Sequence, residues 1–301
     1  MHVLRHGECS VTDLCDVLGQ SQPRISRHLR LLLDADVCTR HREGNYAFFS
    51  LRSAANDIDS VLDALTSSLD PADPVLAADL SRLKAVRERR SEAAHRHFAE
   101  LAQRWDRERS LLTPDAMVEA EINDLLTDSG ASTELGNVID VGTGTGRMIE
   151  LLASAADRIV GLDANPAMLR VARANLDRAS IHHAELRQSD IFATPPFGDG
   201  FDLAVIHQVL HFLDDPHRAI AATAELLTST GRILIVDLPR HAVETMRTEH
   251  AHRRLGFTTD QIEGWFHSCG LEPIDHRLVR STNPDTGTIG VGLWLARKVA
   301  P

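Results

Sequence analysis

Val138-Ile139-Asp140-Val141-Gly142-Thr143-Gly144-Thr145-Gly146-Arg147 joins a strand-like apolar segment to a glycine loop, and a helix opens near Arg147. Three glycines at alternate positions leave little side chain between backbone and ligand. They also accept positive φ where the loop must turn. Amides at the start of the next helix then meet an anion or a polar group. A loop of this kind holds a nucleotide-like cofactor. Spacing excludes two common versions. A dinucleotide loop G-x-G-x-x-G would place its third glycine at 147, where Arg147 stands. A phosphate loop would need G-K-[ST], which is absent.

From Val138 onward the chain alternates strand and helix. Strands are expected over Val138–Val141, Arg158–Leu162, Glu185–Gln188, Phe201–Ile206 and Gly231–Val236. This repetition specifies an α/β class with a doubly wound parallel sheet. A helix is expected at about Thr259–Ser268, followed by strands Leu271–Arg280 and Ile289–Lys298. The link from Ser281 to Gly287 is too short for a βαβ crossover, so an antiparallel hairpin at the sheet edge is expected. Acids fall at strand ends, where open α/β sheets bind ligands. Asp163 follows the second strand about 20 residues after the glycine loop, and a carboxylate there can accept both hydroxyls of a ribose. Asp190 follows the third strand, in Gln188-Ser189-Asp190-Ile191-Phe192.

The pattern D-x-G-x-G-x-G over Asp140–Gly146 resembles motif I of class I S-adenosylmethionine (SAM) methyltransferases. His207-Gln208-Val209-Leu210-His211-Phe212 resembles that family's motif IV. Leu226 to Asp237 resembles its LLxPGGxLLIVD stretch, with Thr230 in place of a glycine. The resemblance implies a doubly wound seven-stranded sheet and a site for SAM, or for S-adenosylhomocysteine (SAH) as a sensed ligand. It implies cofactor contacts from Asp140, Gly142, Thr143, Gly144, Gly146, Asp163, Ala164, Met168, Asp190, Ile191, His207 and Val209. In the family the acid at the place of Asp190 accepts from the adenine amino group, and the next residue packs on the base.

Methyl transfer is an in-line displacement, helped mainly by proximity and orientation, with a base needed only for a protonated nucleophile. His207 and His211 are the candidate bases, with His207 placed as the catalytic residue. Alternatively His207 packs beside the cofactor and His211 begins a helix. His241, His250 and His252 with Glu244 and Glu249 form a second group after the fifth strand. Residues at i and i+2 do not share a helix face, so no metal is expected there. Glu249-His250-Ala251-His252-Arg253-Arg254-Leu255-Gly256-Phe257 resembles a signature of ArsR–methyltransferase fusions, which implies a cleft lining or an interdomain contact. Arsenite methylation is disfavoured, because such enzymes use several cysteines and this region has only Cys269.

Upstream, helices are expected over Ala54–Leu69 and from Val75 to about Arg109, parted by Pro71-Ala72-Asp73-Pro74. The stripe Leu76, Leu80, Leu83, Val86 suits a dimer seam or a connecting helix. Ala94 to Asp106, with Trp105, resembles the opening helix of methyltransferases of the ubiquinone/menaquinone C-methyltransferase type. A plain core helix is the alternative. A further helix is expected from Thr113-Pro114 to Leu126.

At the N-terminus, Val11–Leu18 carries apolar residues at helical spacing, with Ser10 or Thr12 able to cap it and Gly19 ending it. Ser21-Gln22-Pro23 opens a second helix whose apolar face is Ile25, Leu29, Leu32 and Leu33. Val37–Arg42 and Tyr46–Leu51 flank Glu43-Gly44-Asn45 as a hairpin. Helix, turn, helix and hairpin make a winged helix-turn-helix, with the second helix suited to the DNA major groove. The segment closely resembles the ArsR/SmtB family. That resemblance implies a DNA-facing set of Ser21, Gln22, Pro23, Arg24, Ser26, Arg27 and His28, with Arg40 and Arg42 on the wing. Cys15 stands alone where metal-sensing members pair cysteines. Family members also carry one or two helices before this pair. Here six residues precede Gly7, which implies either an assigned start too far downstream or a degenerate copy.

The whole chain thus reads as a winged helix (1–53), a helical linker with the opening helix (54–112) and a methyltransferase domain (113–301). A net charge of −11 excludes a chain that coats nucleic acid non-specifically. Residues 1–55 nonetheless sum to about +1, which points to two functions. Four cysteines without C-x-x-C spacing fit reduced thiols in a cytoplasm. No transmembrane run of about 18 apolar residues occurs. The expected partners are operator DNA, bound as a homodimer, and a small-molecule methyl acceptor. Two readings stay open: a regulator that senses SAM or SAH, and a working methyltransferase with a vestigial DNA-binding module.

Overall fold

The computed structural model describes residues 1–6, 9–43, 46–51, 73–101, 114–128, 134–193, 197, 200–280 and 289–299. The helix expected over Ala54–Leu69, the tip of the wing at Gly44-Asn45, Trp105 and the 281–287 connection lie outside them. The chain forms two compact units, Met1–Ala94 and His95–Pro301.

In the first unit, α1 (Val11–Leu18) starts on a reciprocal cap: Ser10 Oγ accepts from Asp13 N, and Asp13 Oδ2 accepts from Ser10 N at 2.9 Å. Gly19 ends it in the left-handed region at φ 61°. Ser21 precedes α2 (Gln22–Asp34) but makes no side-chain cap; its carbonyl accepts from Arg24 N and Ile25 N. The strands are β1 (Cys9–Ser10), β2 (Cys38–Glu43) and β3 (Tyr46–Leu51). They pair antiparallel in the order β1-β3-β2, so the wing gains a short third strand that the hairpin pattern did not announce. Helix α3 (Pro74–Leu101) supplies Leu83 and Val86 to the same core as Leu14, Val17, Ile25 and Leu29. Of the stripe that suited a dimer seam or a connecting helix, Leu80, Leu83 and Val86 pack within this unit. Arg82 ties the helix down by donating from Nε to Val17 O and pairing with Asp79.

The second unit is a seven-stranded sheet. Its parallel strands are β4 (Gly136–Val141), β5 (Ala156–Asp163), β6 (Ala184–Gln188), β7 (Phe201–His207) and β8 (Leu227–Asp237). β9 (Leu271–Val279) and β10 (Val291–Lys298) are antiparallel, and the order is β6-β5-β4-β7-β8-β10-β9. The hairpin is at the sheet edge as expected, with its second strand inserted between β8 and the first. Helices α4 (Asp115–Asp128), α5 (Arg147–Leu152), α6 (Pro166–Arg178), α7 (Pro216–Glu225), α8 (Thr245–Glu249) and α9 (Thr259–Ser268) complete the unit.

Both sheet faces are covered, which is why the central strands are nearly continuous apolar runs. Ile139, Val141, Ile233 and Ile235 pack in one core with Ile220 of α7 and Phe266 of α9. Their neighbours Val138, Leu234 and Val236 pack in the other with Ile122 of α4 and Ile149 of α5. Two arginines clamp α4. Arg147 holds Glu119 through Nε and Nη2 at 2.6 and 2.7 Å, and Arg277 of β9 holds Glu121 and Asp128 at 3.0 and 2.9 Å. These carboxylates raise both guanidinium pKa values above their ordinary range. Strand order reverses at β4, between β5 and β7, which puts a ligand crevice at the carboxyl end of β4. Among the described residues no helix is long and apolar enough to cross a membrane.

The reciprocal cap has a measurable worth. Ser10→Ala is expected to cost the first unit about 1 kcal/mol. Hydrogen exchange in the 11–18 peptide should accelerate while the second unit's peptides stay unchanged; unaltered exchange in α1 would show that the cap contributes nothing.

Candidate functional site

The loop from β4 to α5 is shaped by its glycines. Gly142, Gly144 and Gly146 all have positive φ (74°, 55° and 88°), a region costly to other residues. A Cβ on Gly142 would run into Cγ2 of Val209, so the loop lies directly against the segment after β7. Gly142 N and Thr143 N both donate to Leu162 O at 2.8 Å, which fastens the loop to the end of β5. Thr143 turns its hydroxyl inward, donating to the buried Asp140 at 2.6 Å, so the loop's backbone forms its outer surface.

Asp163, half-buried at the end of β5, closes on this loop. Its Oδ2 accepts from Gly144 N at 2.8 Å and its Oδ1 from Asn165 N at 2.7 Å. Asn165 also caps α6 by accepting from Ala167 N. These bonds hold the carboxylate directly beside the loop backbone. Met168 is buried in α6, and Ala164 is half-buried beside Asp163. Asp190 is exposed after β6 and accepts from Phe192 N at 3.0 Å; Ile191 is half-buried next to it. Asp140, Asp163 and Asp190 thus stand at the same ends of three adjacent strands.

His207 ends β7, half-buried. Gln208 follows in the left-handed region at φ 56° and donates its amide to Val236 O at 2.7 Å. A non-glycine residue held there is strained, as is common at functional sites. His211 sits within a 3₁₀ turn, Leu210–Phe212, rather than starting a helix. It is buried, with Nδ1 2.6 Å from Asp237 Oδ1 at the end of β8. Sequence reasoning passed over Asp237. The signal was an acid at the carboxyl end of the strand neighbouring the histidine-bearing one. The Glu249–Phe257 signature folds over this turn: Arg253 N and Arg254 N donate to His211 O, and the His252 ring lies 4.2 Å from that of His211. The signature therefore lines the carboxyl end of the sheet. Among the described residues no three potential ligands gather as for a metal. Burial pushes the Cys269 thiol pKa up, away from thiolate chemistry.

In the first unit, Ser21, Gln22, Pro23, Arg24, Arg27 and His28 are exposed along α2, and Ser26 is half-buried. Arg40 is exposed on β2, and Arg42 is paired with Ala47 along the hairpin. Cys15 is half-buried and unbonded to another cysteine.

Residues 139–235 match the family model described as a methyltransferase domain, and residues 1–38 match that of bacterial regulatory proteins of the arsR family. A ubiquinone biosynthesis O-methyltransferase of Aromatoleum aromaticum is 30% identical over 151 residues, 48% of this chain and 61% of that protein. The protein of the same name from Ralstonia nicotianae is 28% identical over 63% of this chain and 84% of its own. The chain therefore spans under two thirds of the first of these relatives. A putative methyltransferase of Bacillus halodurans superposes with a TM-score of 0.52 at 16% identity, over 60% of this chain and 100% of its own. A SAM-dependent methyltransferase of Clostridium acetobutylicum gives 0.52 at 13% identity, over 67% and 98%. The chain carries an arsR-type helix-turn-helix followed by a methyltransferase domain of the class I fold, and the cofactor of such a domain is SAM. The side-chain-free loop beside the oriented Asp163 carboxylate suits its ribose and methionine tail.

Gly142→Ala should lower SAH affinity at least tenfold, since the added Cβ meets both an adverse φ and Val209. Adding Val209→Ala removes the collision alone and should restore part of the loss. Calorimetric affinity equal to wild type in the single variant would contradict this account of the loop.

Proposed function

We propose that the protein is a SAM-dependent methyltransferase for a small hydroxylated molecule, joined to an operator-binding module that acts as a homodimer in the cytoplasm. The observation that carries the proposal is the Gly144–Asp163 bond, which sets a carboxylate and a glycine loop side by side at the switch point of the sheet. The cofactor set is Asp140, Gly142, Thr143, Gly144, Gly146, Asp163, Ala164, Met168, Asp190, Ile191, His207 and Val209. When bound, SAM supplies an electrophilic methyl group. The chain's part is to hold the ribose on Asp163, the base against Asp190 and Ile191, and the acceptor near the ends of β7 and β8. An oxygen acceptor agrees with the O-methylation named for the relatives.

The DNA-reading assignment rests on the exposed Gln22, Arg24, Arg27 and His28 of α2, with Ser21, Pro23 and Ser26 beside them and Arg42 on the wing. We assign residues 1–53 to this module, 54–112 to the linker and opening helix, and 113–301 to the methyltransferase domain. A regulator whose affinity for DNA depends on SAM or SAH needs different ligand affinities in its two DNA-binding states.

Two assays on the full chain test this. SAH formation from SAM is measured across a panel of phenols, catechols and aliphatic alcohols, and fluorescence anisotropy follows DNA from the protein's own upstream region, with and without SAH. Turnover with at least one hydroxyl acceptor is expected, together with DNA binding that Arg27→Ala weakens. No turnover across the panel would contradict the enzyme assignment, and DNA binding indifferent to Arg27→Ala would contradict the recognition-helix assignment.

A further inference from the structure

We infer that His211, oriented by Asp237, is the general base that removes the acceptor's proton, and that the acceptor is therefore a protonated heteroatom nucleophile such as a hydroxyl. This rests on the methyltransferase reading above and names the group within that site that performs proton transfer.

Place comes first. His211 lies in the turn after β7, two residues beyond the Val209 that abuts Gly142, and Asp237 ends the adjacent parallel strand β8. Both thus stand at the carboxyl ends of the central strands, on the side of the cofactor loop. Orientation follows from the chemistry of the pair. A carboxylate only accepts, so in the neutral ring Nδ1 carries the proton and Nε2 presents its lone pair. Asp237 is itself held: Oδ2 accepts from Leu210 N at 2.9 Å and Oδ1 from Leu238 N at 2.7 Å. The Leu210 amide already fastens the turn to β8, so the imidazole is not required as a structural tie.

Nε2 of His211 makes no hydrogen bond among the described residues, yet it is not one of the sealed, unpaired polar atoms of the interior. Nε2 therefore keeps a narrow contact with solvent although the side chain is only 2% exposed, and the ring packs against Phe212 at 4.0 Å and His252 at 4.2 Å. The strap carrying His252 is pinned independently, by Arg253 N and Arg254 N on His211 O and by Arg254 Nη2 on Asp214 O. A ring packed on its flank, bonded at Nδ1 and left unbonded at Nε2 is the arrangement a base requires.

The step balances. The acceptor's lone pair forms the new bond to the methyl carbon, and the C–S electron pair returns to sulfur. The acceptor's proton ends on His211 Nε2 and leaves to solvent, while the Asp237 carboxylate offsets the transient imidazolium charge.

Two arms test it on the full chain. In the first, diethyl pyrocarbonate, which acylates unprotonated imidazole nitrogen, is applied with SAH bound, and the 16 histidines are mapped by peptide mass. Label on His211 is expected. In the second, His211→Asn is assayed with an acceptor from the hydroxyl panel. A fall in kcat of about two to four powers of ten is expected, with SAH affinity within about twofold of wild type. Because the asparagine amide nitrogen, like Nδ1, is bonded to Cγ and can donate to Asp237, the variant keeps the tie and removes the base. An unlabelled His211, or a variant that keeps full kcat, overturns the inference. SAH binding, followed as a rise in Tm, separates the two levels: its absence overturns the methyltransferase reading and the inference together, whereas SAH binding with His211 unlabelled overturns the inference alone.

Discussion

The turn between β4 and α5 packs three left-handed residues into five positions, and the methyltransferase unit is arranged around that constraint. Only glycines relieve it cheaply. Once made, the turn delivers the amides of Gly142 and Thr143 to Leu162 and the amide of Gly144 to Asp163. The same bare backbone lets Val209 approach from the other side, so the ends of β5 and β7 meet at one loop. A side chain at Gly142 would push Val209 away from the loop.

Around this centre the structure uses charge to place helices and burial to hold strands. Arg147 stands where a dinucleotide loop would have glycine, and it reaches Glu119 on α4 and Glu150 on its own helix. The substitution that excludes one cofactor class thus also fixes the helix packed over the loop. At the other end of the site, the bond from Leu210 N to Asp237 locks the turn after β7 to the end of β8, and Leu238 N holds the same carboxylate from its own side. The arsR-type module is a separate unit with its own core, in which Leu83 and Val86 of α3 complete the apolar surface that α1 and α2 cannot bury between themselves.

Much of this was legible in the chain because it is local. The helix expected at about Thr259–Ser268 has those bounds, and the strands from Val138 to Val236 match within a few residues, since both sheet faces are buried and the runs are apolar. The glycine spacing and the acids at strand ends announced the crevice. What escaped is pairing at a distance. No periodicity links Cys9 to Phe49, Arg147 to Glu119, or His211 to Asp237, which are brought together by the sheet order and not by spacing. The strained backbone at Gln208 was equally invisible, because glutamine carries no turn signal. The stripe on α3, which suited a dimer seam or a connecting helix, illustrates the converse: an apolar stripe says that a face is buried, not against what.

The most direct test of the account is calorimetric titration of SAH into the full chain and into Asp163→Ala. The account predicts one SAH per wild-type chain and no measurable binding once the carboxylate that joins the glycine loop to β5 is removed. Equal affinity in the two proteins would contradict it, because the ligand would then be held somewhere other than the crevice between Gly144 and Asp163.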